Sequence, residues 1–133
     1  MSLKNPTPHH TFVPAYQGSA LPYVTSSAIP TTNDVVEISF PGLTRWLVVH
    51  NSEAGGSSKT LKFGFTENGV RGTETDNCFI LHSGEMTPRM ELKCRKIFLG
   101  ANHSDVEYSV IAGYTNIEKF PILSGSNGYE GVG

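Results

Sequence analysis

The chain reads as an all-β protein, an antiparallel sandwich of seven or eight strands joined in Greek-key or jelly-roll order. Three observations predict this class. Short runs alternate apolar and polar residues, which is the period of a strand half buried against a core. Turn residues recur between those runs at short, regular spacing. No segment carries an amphipathic helical period, and no internal repeat is visible.

Taken in order, residues 1 to 30 hold Pro6, Pro8, Pro14, Pro22 and Pro30 among Thr, Ser, His and aromatic residues, and read as an extended arm. Phe12, Val13, Tyr16, Leu21 and Tyr23 are too apolar for a solvated linker, so the arm is expected to lie on a surface, such as the outer side of the strand carrying Trp46. Residues 34 to 40 form a strand with Val36, Ile38 and Phe40 on one face. Residues 44 to 51 do not alternate: Trp46 and Val48 point one way, Leu47 and Val49 the other. A small sandwich has one interior, so the second face of that strand needs cover from a chain terminus or a neighbouring subunit. Leu47 and Val49 are therefore candidate subunit contacts.

Residues 54 to 58 make a loop, and residues 59 to 66 a strand with Leu61, Phe63 and Phe65 together. Residues 67 to 70 read as a tight turn, 77 to 82 as a strand, and 83 to 85 as another turn. A long β segment spans residues 86 to 101. Met90, Leu92 and Cys94 share a face there until Arg95 and Lys96 shift the register into Ile97, Phe98 and Leu99, so a bulge or corner is expected. After a turn at residues 102 to 105, Val106, Tyr108, Val110 and Ala112 mark a further strand. Residues 114 to 120 suggest a last one, stopped by Pro121. Residues 124 to 133 have the composition of a flexible tail, in which Tyr129 could dock on a partner. The domain proper is thus expected over residues 31 to 123.

Charged residues are 17% of the 133, against about 25% in a typical soluble domain. Either the surface is rich in Thr, Ser and Asn, or much of it is covered by partners, since interface centres are depleted in charge. A net charge of −2 with scattered basic residues leaves no electrostatic footprint for nucleic acid. The basic residues Arg89, Lys93, Arg95 and Lys96 sit near Glu85 and Glu91 and suit a solvated or salt-bridged face better than a phosphate site. No apolar run approaches the about 20 residues of a membrane span, and the N-terminus lacks the basic and apolar regions of a signal peptide. Synthesis inside the cell is the expectation, with Cys78 and Cys94 as two buried, reduced thiols.

No candidate residue stands in a pattern that catalytic chemistry requires. His9, His10, His50, His82 and His103 lack the paired spacing of a zinc site, and Cys78 with His82 would supply only two ligands. There is no Gly-x-Ser-x-Gly elbow and no phosphate-cradling glycine loop. Asn102-His103-Ser104 matches the glycosylation acceptor pattern, which matters only for a secreted chain. No catalytic residue, metal or cofactor is expected, and an enzyme is not. Trp46, Phe63, Phe65, Phe79, Phe98 and Tyr108 fall mostly on faces expected to be internal, where core packing outweighs a sugar-stacking role.

Together, Arg45-Trp46-Leu47-Val48-Val49-His50-Asn51, Leu61-Lys62-Phe63-Gly64-Phe65 with Asn68-Gly69-Val70, Phe79-x-Leu81 with Gly84-Glu85, Glu91-Leu92-Lys93 with Ile97-Phe98-Leu99, and Tyr108-Ser109-Val110-Ile111-Ala112-Gly113 form a pattern over residues 34 to 118. It resembles the single jelly-roll minor capsid proteins, above all the penton or vertex proteins, of large icosahedral double-stranded DNA viruses such as the chloroviruses. The resemblance implies a single eight-stranded jelly roll. It also implies a homopentamer at the fivefold vertices of a virion assembled in the host cytoplasm. Its neighbours would be a double jelly-roll major capsid protein and other minor capsid proteins, without nucleic acid or membrane insertion. On this reading Phe12, Tyr16, Tyr23, Leu47, Val49 and Tyr129 are the suspected subunit or capsomer contacts. The competing reading is a β-sandwich module that binds carbohydrate or a receptor. It would be a monomer with exposed aromatic residues.

Overall fold

A computed structural model describes residues 20–71 and 77–117. They form seven strands and one short helix: β1 (Leu21–Ile29), β2 (Val36–Ser39), β3 (Thr44–Asn51), β4 (Leu61–Gly64), α1 (Glu67–Arg71), β5 (Phe79–Leu81), β6 (Lys96–Ala101) and β7 (Val106–Tyr114). Two antiparallel sheets result, one ordered β1-β7-β3 and the other β2-β6-β4-β5. The all-β, two-sheet expectation holds. The long segment expected over residues 86 to 101 is regular only from Lys96 onward. Before that it touches β3 through isolated bridges, Leu47 to Met90 and His50 to Met86.

Between the sheets lies one apolar core, including Ile29, Phe40, Leu47, Leu61, Ile97 and Val110. Alternation puts these residues inside. On β7, Val106, Tyr108, Val110 and Ala112 are buried, whereas Glu107 and Ile111 are exposed. β6 departs from this pattern because its outer face is also covered. Val70 of α1 lies so close to Gly64 and Gly100 that a Cβ on either glycine would stand under 3.0 Å from its methyl groups.

Three expectations are corrected by this architecture. The extended arm was expected to run to residue 30, yet residues 21 to 29 pair along their whole length with β7. Pro22 and the serines disguised this strand. It lies at the edge of its sheet, where a proline needs no ladder partner on its open side, and its inner face needs only Tyr23 and Ile29 to be apolar. The tight turn expected at residues 67 to 70 is a helix instead. The Thr66 hydroxyl accepts the Gly69 N–H at 3.1 Å as an N-cap, and Glu67 and Arg71 pair one turn apart. Finally, Leu47 and Val49 are fully buried in the sandwich interior. The residues of β3 that need outside cover are Trp46 and Val48.

Asn51, at the end of β3, is fully buried and fully bonded. Its Nδ2 donates to the carbonyls of Lys59 (3.2 Å) and Leu81 (3.1 Å), and its Oδ1 accepts the Glu53 N–H (3.1 Å). One side chain thus ties β3 to the following loop and to β5 of the opposite sheet. At the same end, Asn102 binds the loop before β4 through Ser58 and Thr60, so the amide of the sequon pattern is already engaged. Both ends of the described chain leave from the opposite end, where Leu21, Tyr114 and Thr44 stand in register.

The cysteines differ in environment. Cys94 is buried beside Thr44, whose hydroxyl accepts the Cys94 N–H at 3.0 Å and donates to the Leu92 carbonyl at 2.6 Å. Cys78 is half-buried, contrary to expectation, and no disulfide joins the two. Burial pushes the Cys94 thiol up to about 11, with the Thr44 hydrogen bond opposing. The fold therefore keeps a proton that the unfolded chain loses near pH 9. Stability from this thiol is intact below pH 9 and falls as pH rises to 11, by about 2–3 kcal/mol. Urea midpoints taken from pH 8 to 11 are expected to fall more steeply for the native chain than for Cys94→Ala. Parallel slopes would contradict this.

Candidate assembly surfaces

Among the described residues, most apolar side chains left at the surface fall into two groups. The first lies on the outer face of the β1-β7-β3 sheet, where strand register stacks residues in rows across the strands. One row is Pro22, Gly113 and Trp46; the next is Val24, Ile111 and Val48; the third is Ser26, Ser109 and His50. Val24 is 69% exposed and Ile111 42%. In the third row the character changes, and hydroxyls of Ser26, Ser109 and Ser52 link at 2.7 and 3.0 Å. The face is thus two apolar rows bounded by a polar one.

Gly113 fixes the position of the only tryptophan. A Cβ there would stand 2.4 Å from the Trp46 Nε1 and 2.6 Å from the Ala20 Cβ, so the indole and Ala20 both lie against bare backbone. The Arg89 guanidinium covers the ring at 5.6 Å from its centroid, a cation–π placement. Arg89 also pairs with Glu91 at 3.1 Å, and Lys96 with Glu37 at 3.1 Å, so these two members of the basic cluster are salt-bridged.

The second group lines an open edge between the sheets. A groove of about 560 Å³ runs between β4 and β5 on one side and residues 87 to 92 on the other, with Phe63, Phe65, Phe79, Met90 and Leu92 in its walls. Phe63 packs against Phe65 and Phe79, with ring centroids 6.4 and 5.5 Å apart. Phe79 is 56% exposed although its β-parity matches the buried Leu81. The sandwich is not closed here, so the inward parity of Phe79 leads into a groove. Of the other exposed apolar residues, Met86 stands opposite His50 at the margin of the first face, and Ile80 has the strand parity opposite to Phe79.

Of the suspected contact residues, Leu47 and Val49 are internal, as described above. Tyr23 is half-buried and meets Phe40 edge to face at 5.2 Å, so it serves the core. Phe12, Tyr16 and Tyr129 lie outside the described residues, as do His9 and His10. His50, His82 and His103 stand apart, and among the described residues no group of three His, Cys, Asp or Glu side chains could hold a metal. No described helix is long and apolar enough to cross a membrane. The residues that sequence reasoning missed are Val24, Ile111, Phe79 and Met86. Only the pairing of strands sets Val24 beside Ile111. Comparison with protein-family models, curated proteins and solved structures gives no match.

Proposed function

We propose that the chain is a structural subunit of an icosahedral virus shell, a single jelly roll that associates into a homopentamer at the fivefold vertices and works by binding rather than catalysis. The observation that carries this reading is the open apolar edge between the sheets. A groove walled by phenylalanine, methionine and leucine is favourable to cover, at roughly 25 cal/mol per Å² of apolar surface removed from water. A neighbouring copy closing that edge gives the chain a reason to form rings.

The connectivity supports the jelly-roll part. With residues 86 to 94 taken as an irregular eighth strand, the first strand pairs with the last, β2 with β6, β3 with that segment and β4 with β5. The chain is then one long antiparallel hairpin wound over itself, as in a double-sheet jelly roll. Leu21 and Tyr114 stand together at one end of the sandwich, which supports a role for the C-terminal residues in reaching neighbouring capsomers of the shell, including a double jelly-roll major capsid protein. The carbohydrate-binding alternative wants an exposed aromatic platform, whereas Trp46 lies between backbone and Arg89.

Replacing Phe79 and Leu92 together by glutamate tests this. The double variant is expected to be a folded monomer, with stability within about 1 kcal/mol because both positions are surface-exposed. The native chain should run as a ring under the same conditions. An unchanged mass for the variant would count against this edge as the interface.

A further inference from the structure

We propose that the outer face of the β1-β7-β3 sheet is covered by the chain's own N-terminal segment, with Phe12, Val13 and Tyr16 seated over Val24, Ile111 and Val48. This does not depend on the shell reading, because the cover comes from the same chain.

The face asks for a limited occupant. Its apolar part spans two rows on three strands, which is about 10 Å across at the spacing of paired strands. That is room for three or four side chains. The row of Ser26, Ser109 and Ser52 hydroxyls closes it on one side. At the other side stands Ala20, packed over Gly113 beside Trp46. Ala20, where the described residues begin, thus lies on this face, one row from the exposed Val24 and Ile111.

Reach and composition both fit. The Val24 row is two residues along the strand from the Gly113 row, roughly 7 Å, and ten residues of extended chain span about 33 Å. Gln17-Gly18-Ser19 supplies turn residues for a reversal of direction. Within residues 1 to 19 the only Lys, Arg, Asp or Glu is Lys4, while Pro8 and Pro14 limit the freedom lost on docking. Tethering decides between this segment and a second molecule. A short flexible link holds a segment at roughly millimolar effective concentration, far above micromolar free protein.

Trp46 is the only tryptophan of the chain and borders the face, so its emission reports the cover directly. In the full-length chain, Phe12→Ser with Tyr16→Ser is expected to move the emission to longer wavelength and increase quenching by acrylamide, equally at all protein concentrations. An unchanged spectrum would overturn the proposal. An effect of the substitutions that disappears on dilution would also overturn it, since the cover would then come from another copy. A second variant, Val24→Lys, approaches from the other partner. Chymotryptic cleavage at Phe12 and Tyr16 is expected to rise about tenfold, the change in opened fraction for one lost valine contact. Equal cleavage in native and variant chains would contradict the assignment.

Discussion

Replacing Leu47 by alanine is expected to lower the unfolding free energy by about 2–5 kcal/mol, the range for truncating a fully buried leucine. Leu47 is 0% exposed, stands opposite Ala112 of β7, and exchanges both backbone hydrogen bonds with Met90 at 2.9 Å. Its neighbours are fixed by the ladders on both sides of β3, so they can collapse little into the space left behind, and the upper half of the range is expected. A urea melt followed by circular dichroism measures it as a lower midpoint. If Leu47 instead lay in a subunit boundary, the melt of the isolated subunit would hardly change and only association would weaken. The outward Val48 supplies the contrast: truncating it is expected to have a much smaller effect on the melt.

Asn51→Ala is expected to cost about 2–4 kcal/mol. The substitution removes the donor for the Lys59 and Leu81 carbonyls and the acceptor for the Glu53 N–H. A buried polar group left without a partner loses about 1–3 kcal/mol, and the Leu81 carbonyl is the most enclosed of the three. Asn51→Asp should be worse at neutral pH, since it sets a carboxylate against two carbonyl oxygens. The measurement is again the urea midpoint, with proteolysis of the loop at residues 52 to 60 as a local readout. A loss below about 0.5 kcal/mol, the scale of an unremarkable surface substitution, would show that the bonds do not act as described.

What the sequence revealed follows from which forces are local. Alternation through Val36, Ile38 and Leu61, Phe63 is a property of neighbouring residues, and both runs became strands with those side chains in or against the core. The run from residue 44 to 51 announced that both faces of its strand are apolar, but not which face is internal. That choice depends on the pairing of β3 with β7, a contact between residues about 60 apart in the chain. Its consequence is that Leu47 and Val49 are core and Trp46 and Val48 are not. β1 was hidden because an edge strand tolerates Pro22 and serines, and the Thr66 cap was overlooked because Asn68-Gly69 carries a strong turn signal of its own.

The candidate surfaces were less legible still. Val24 and Ile111 are 87 positions apart, and only the β1-β7 register brings them side by side. Phe79 had the parity of a core residue, and nothing local tells that the two sheets part at that edge. The low proportion of charge was the one compositional sign that such surfaces exist.

Association is the central claim, and the mass of the intact chain in solution tests it most directly. Sedimentation equilibrium over micromolar concentrations is expected to give five times the chain mass, and images of the same sample should show rings of five. A stable monomer throughout that range, with the groove between β5 and residues 87 to 92 open to solvent, would contradict the account.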